Sequence, residues 1–104
     1  MSRKAKVYVN KEFAGLLEET EKGVLYRFWY IEGYQGEPVS LTMPVEKVSF
    51  EFKGFPPFFD GVLPEGYELE ALLKRAKIDA EDYFSQLVIV GKDLVGNVTV
   101  EPFA

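Results

Sequence analysis

The hydrophobic pattern changes period near the middle of the chain. In the first half, apolar and polar residues alternate, as strands require. Lys6-Val7-Tyr8-Val9-Asn10 places Val7 and Val9 on one face, and Asn10-Lys11 suits a tight turn. Residues 12–19 continue as a strand with Phe13 and Leu17 on one face. Gly15 between them marks a bulge or a close backbone approach. Thr20-Glu21-Lys22-Gly23 is a turn with glycine where a positive φ is wanted. Residues 24–31 form the strongest strand: Val24, Tyr26, Phe28 and Tyr30 share one face, while Leu25, Trp29 and Ile31, interrupted by Arg27, share the other. A strand apolar on both faces is covered on both sides. It predicts a curled or barrel-like sheet, or helices over one face.

Residues 33–38 read as a loop. Residues 39–44 alternate again, and Pro44 ends that strand or places it at an edge. Val48, Phe50 and Phe52 define a further short strand before the break at Gly54, Pro56 and Pro57. From there the period becomes helical. Residues 58–63 form a short helix or turn, and Pro64 fits the first turn of the next helix. Leu69, Leu72, Leu73 and Ala76 make one apolar stripe. Asp79 suits the N-cap of a second helix, with Asp82 at its third position, Tyr83, Phe84, Leu87 and Val88 inward and Gly91 as C-cap. Residues 95–100 return as a strand. The order predicts an α+β fold over a single domain, 1–104: an antiparallel, curled or barrel-like sheet from the N-terminal half, two helices, and a C-terminal strand returning to the sheet.

Composition narrows the chemistry. The chain has 104 residues, 47% hydrophobic and 15% aromatic, enough for its own core. It holds no cysteine and no histidine, which removes thiol nucleophiles, thiolate metal sites and the side chain best suited to acid–base work near neutral pH. No loop carries the dense, evenly spaced Asp and Asn of a calcium site, so no metal or cofactor is expected. A net charge of −5 argues against direct nucleic-acid binding. The one basic cluster, Arg3, Lys4 and Lys6, reads as a solvated N-terminal tail. No signal peptide or membrane-length apolar run is visible, so a cytoplasmic location without membrane contact is expected.

Carboxylates are the only abundant catalytic-type residues. Glu18, Glu19 and Glu21 crowd a turn, and Glu65, Glu68 and Glu70 crowd a helix start. Both are places where solvated residues sit, and the second group complements the helix dipole, so no catalytic residue is assigned. No phosphate loop or serine-nucleophile motif occurs. The aromatics Trp29, Tyr30, Tyr34, Phe55, Phe58, Phe59 and Tyr67 exceed what a small core needs. Surface aromatics anchor protein interfaces, so a binding module is favoured over an enzyme. The candidate partner-binding residues are Phe58, Phe59, Asp60, Leu63, Pro64, Glu65 and Trp29.

Two segments carry a family resemblance: Phe58-Phe59-Asp60-Gly61-Val62-Leu63-Pro64-Glu65-Gly66, and Gly91-Lys92-Asp93-Leu94-Val95-Gly96-Asn97-Val98-Thr99-Val100. With Asp82-Tyr83-Phe84-Ser85-Gln86-Leu87 between them, and Val7-Tyr8-Val9-Asn10 and Pro38-Val39-Ser40-Leu41-Thr42-Met43-Pro44-Val45 before them, the chain resembles the N-terminal subdomain of HipA-type toxin kinases. No kinase Gly-rich loop, β-strand lysine or catalytic or metal-binding Asp can be placed, so kinase activity is not carried over. The Met1 start and the absence of a tag favour a separate small protein over a cut domain. The resemblance then implies a HipS-like antitoxin that binds and inhibits a HipT-like serine/threonine kinase, with a HipB-like DNA-binding protein completing the complex. The alternative it implies is a structural lobe that supports a HipA-type kinase without inhibiting it.

Overall fold

The computed structural model describes residues 3–94 and 96–103. Five strands form one antiparallel sheet: β1 (Arg3–Val9), β2 (Glu12–Glu21), β3 (Leu25–Tyr30), β4 (Ser49–Lys53) and β5 (Val98–Pro102), in the order β4-β3-β2-β1-β5. Three helices lie between β4 and β5: α1 (Pro57–Asp60), α2 (Gly66–Ala76) and α3 (Tyr83–Val90), the last running into a 3₁₀ turn, Gly91–Asp93. The C-terminal strand returns beside β1, as the α+β reading requires. The sheet is open, with β4 and β5 at its edges, and helical residues cover one face. That face carries Ala5, Val7, Val9, Leu17, Tyr26, Phe28, Tyr30, Val98 and Val100, packed against Phe59, Leu63, Phe84 and Leu87.

The first turn is made by Asn10 and Lys11, both with positive φ (51° and 69°), the geometry that matches strand twist. Gly23 also has positive φ, 71°, in the next turn. Gly15 satisfies both of its expectations. The register of β1 against β2 shifts between Val7 and Tyr8, and a Cβ on Gly15 would lie 2.3 Å from the Trp29 carbonyl oxygen. The bulge inverts the side-chain alternation. Phe13 therefore pairs with Tyr8 on the outer face, ring centroids 5.5 Å apart, while Leu17 is buried; the two do not share a face.

Other expectations are corrected. Val24 lies in the turn before β3 and is exposed. Residues 39–44 form no strand: Ser40 and Met43 make an isolated bridge across a tight turn. Pro64 lies before α2, whose N-cap is Glu65, so it is not in the first turn. Asp79 caps only a preliminary turn, accepting from the Glu81 N–H at 2.9 Å, whereas the N-cap of α3 is Asp82. Gly91 ends α3 in right-handed geometry, and its small size is required because a Cβ there would lie 2.1 Å from the Val100 carbonyl oxygen. The final strand begins at Val98, and Val95 lies outside the described residues.

The basic cluster is no tail. Lys4 and Lys6 stand over the Phe103 ring at 5.6 and 6.0 Å. Arg3 donates from Nε to Glu19 at 2.7 Å, and through its other nitrogens to Ser85 Oγ at 2.9 Å and Asp82 at 3.0 Å. Its guanidinium also stacks on Phe84 at 4.8 Å. The acidic group beside the turn is likewise divided between faces. Glu18 sits on the outer side, but Glu19 points inward, 4% exposed. There Glu19 accepts from Arg3, from Tyr26 Oη at 2.9 Å and from the Gly23 N–H at 3.1 Å. One network thus ties β1, β2 and β3 to the cap of α3.

Burial opposes ionisation of Asp82, but the Arg3 guanidinium and the Ser85 donors outweigh it and hold the carboxyl below its ordinary value. A lowered folded pKa stabilises the native state above the unfolded carboxylate value of about 4, and the contribution is lost as pH falls through the folded pKa. Asp82→Asn should therefore flatten the acid limb of stability against pH, measured by urea unfolding from neutral pH downward. An unchanged acid limb would remove Asp82 from this role.

Candidate partner-binding groove

The two segments that carry the family resemblance meet in space. A groove of ≈ 750 Å³ runs between the chain leaving α1 and the end of α3. Val62, Leu63, Pro64, Val90 and Leu94 supply its apolar lining. Glu65, Glu68 and Asp93 supply three carboxylates, and no cationic side chain lines it among the described residues. Local sequence accounts for the shape. Pro57 opens α1 at a position where its missing N–H is no loss, and the Gly61 N–H returns to the Pro57 carbonyl at 3.0 Å to close the turn. Glu65 then starts α2 in extended geometry, with Glu68 in the first turn where the dipole favours a carboxylate.

The sequence-derived candidates divide within this frame. Leu63, Pro64 and Glu65 line the groove. Asp60 is exposed beside it, and Phe58 is half-buried against the core. Phe59 is fully buried, its ring centroid 6.3 Å from that of Phe28 and 5.2 Å from that of Phe58. It is a core residue of this chain and offers no surface to a partner. Trp29 is elsewhere: it stands on the sheet face opposite the helices, under the Arg27 guanidinium at 5.0 Å.

Sequence reasoning did not single out Glu68, Val90, Asp93 or Leu94 as lining residues. Asp93 and Leu94 belong to the second resemblance segment, which abuts the first only after folding, whereas Glu68 and Val90 lie outside both segments and carried no such signal. Tyr67 was counted with the surplus aromatics, and the structure shows where it goes: it is 89% exposed in the first turn of α2, next to Glu68. Tyr34, by contrast, is buried and stacked on Tyr30 with centroids 5.6 Å apart. Among the described residues, no group of three or more Asp or Glu side chains gathers as a metal site, and no helix is long and apolar enough to cross a membrane.

The chain is similar to known proteins. The family described as HipA N-terminal domain matches residues 5–101. A solved N-terminal domain of HipA toxin superposes with a TM-score of 0.76 at 32% identity, covering 98% of this chain and 93% of that one. An uncharacterised protein of Haemophilus influenzae is 34% identical over 99 residues, 95% of this chain and 92% of its own length. The protein Y4dM of Sinorhizobium fredii, whose name describes it as a candidate kinase, is 35% identical over 79 residues; the match covers 70% of this chain and only 19% of Y4dM. The chain belongs to the HipA N-terminal domain family.

Proposed function

We propose that this protein is a HipS-like antitoxin that binds a HipT-like serine/threonine kinase and restrains it, within a complex that a HipB-like DNA-binding protein completes. The HipA N-terminal domain is a non-catalytic subdomain of toxin-related proteins, which ties the chain to a toxin–antitoxin context. The supporting observation is how the domain is distributed. It makes up nearly all of one relative and about a fifth of another whose name describes a kinase. A unit that accompanies a kinase within one chain is suited to bind a kinase in trans. The groove supports the same reading, because an apolar floor whose charged lining, among the described residues, is carboxylate fits a basic, partly apolar protein surface. Burial of roughly 1,200–2,000 Å² would give a stable complex.

Tyr67 is a second candidate anchor, exposed on α2 outside the groove at a shallow hollow that Glu70, Ala71, Leu73 and Lys74 line. An exposed tyrosine gains most by being covered, and it loses little side-chain freedom on binding. Tyr67→Ala should weaken the kinase complex by about tenfold or more while leaving the unfolding midpoint unchanged. Co-expression with the kinase of the HipT type from the same genome tests the whole reading. Relief of growth arrest and co-elution of the two proteins are expected for the wild type. Persistent arrest with no complex would sink it. The match to part of Y4dM favours a second reading, a lobe that supports the kinase without inhibiting it. Stimulated autophosphorylation is its mark.

A further inference from the structure

The segment expected to be a strand holds a different device. Tyr30, at the end of β3, sends its buried hydroxyl between the two arms of the turn 39–43. It accepts from the Val39 N–H at 2.9 Å and donates to the Met43 carbonyl. Val39 and Met43 are themselves buried. The Met43 N–H closes onto the Ser40 carbonyl at 2.9 Å, and the Ser40 and Thr42 hydroxyls bond at 3.0 Å. At the tip of this pinned turn, Leu41 is 96% exposed. A single exposed leucine is ordinary. One held on so constrained a backbone is a preorganised apolar knob, because little further ordering is lost when it is covered.

We propose that this turn is a second contact for the kinase partner, with Leu41 seated in an apolar pocket bordered by lysine or arginine; the inference rests on the kinase reading above. Charge selects that occupant. Two adjoining hollows flank the turn, sharing Tyr34 and Val45. Their linings include the carboxylates of Glu46 and Glu32 and, among the described residues, no cationic side chain. Lys47, the nearest cation in sequence, is drawn over the Phe50 ring at 5.3 Å. Position permits one partner to reach both surfaces. The pairings Val9 with Val98, Val7 with Gly15 and Gly15 with Tyr30 place the loop after β3 and the segment before β5 at the same end of the sheet. The Glu37 carboxylate joins them, accepting from Asn10 at 3.3 Å and from Asn97 at 3.4 Å. Leu94 of the groove lies just before Asn97.

Titration calorimetry of the purified kinase with the wild type, Leu41→Ser and Glu46→Lys tests the inference. Leu41→Ser should weaken binding by about tenfold or more with the unfolding midpoint unchanged. Glu46→Lys should weaken binding at low salt and approach the wild type at high salt. If both variants bind as the wild type does, the second contact is overturned while the kinase reading stands. A lowered unfolding midpoint for Leu41→Ser would show that Leu41 packs on its own chain and would overturn it as well. A wild type that does not bind overturns both.

Discussion

Phe59→Ala is expected to lower the unfolding free energy by about 3–5 kcal/mol, measured by denaturant unfolding of the isolated protein. The side chain is fully buried, and its ring lies against Phe28 of β3 and against its helical neighbour Phe58. Truncation removes the transfer free energy of a whole ring and leaves a cavity that the short helix α1 can close only in part. Domains of this kind are stable by about 5–15 kcal/mol in total, so the variant should stand near the limit of folding. The effect also separates two roles. A partner anchor would lose affinity and keep stability, whereas a core ring loses stability whether or not a partner is present. A variant as stable as the wild type would show that Phe59 is dispensable to the core, against its burial.

Glu19→Ala is the second large effect, with an expected loss of about 2–4 kcal/mol. Breaking a buried ion pair by removing one partner costs about 3–5 kcal/mol, because a charge is left without its counterpart. The figure is reduced here because the Arg3 side chain is 37% exposed and keeps its bond to Asp82 at 3.0 Å. Tyr26 has no such reserve: its hydroxyl is buried and donates to Glu19 at 2.9 Å. Burial and the bond to Glu19 push the Tyr26 phenol well above its ordinary pKa, so it remains a neutral donor throughout the working range. Glu19→Gln keeps an acceptor for Tyr26 and for the Gly23 N–H, and should cost less than Glu19→Ala. Equal losses from the two substitutions would mean that charge rather than hydrogen bonding dominates the site.

The sequence made most of the architecture legible, for identifiable reasons. Tyr26, Phe28 and Tyr30 alternate with no irregularity, and all three are in the core. Leu69, Leu72 and Leu73 recur at helical spacing, and Leu72 is buried in α2. What failed had local alternatives of similar merit. Phe13 follows the same alternation as Leu17, but one extra residue at the Gly15 bulge turns it to the other face, and periodicity has no means of counting a bulge. Val39, Leu41 and Met43 alternate like a strand, yet Val39 and Met43 are buried as the two arms of a turn, with Leu41 at its tip. Asp79 and Asp82 are both good caps, and the choice falls to Asp82 because Arg3, distant in sequence, pairs with it. Glu19 looked like one of three solvated carboxylates, and only the arrival of Arg3 and Tyr26 makes its burial tolerable. The groove was half legible. Each of its two walls was visible as a motif, while their contact depends on α3 carrying the second back against the first.

Restraint of a kinase, the function proposed for this chain, is read out by autophosphorylation. The HipT-like kinase from the same genome would be incubated with ATP and magnesium in the presence of increasing amounts of the purified protein. Phosphate incorporation into the kinase should fall to a saturating minimum with the wild type, and Tyr67→Ala should require about tenfold or more protein to reach it. Incorporation that is unchanged, or that rises, across the same range would show that this protein does not restrain the kinase.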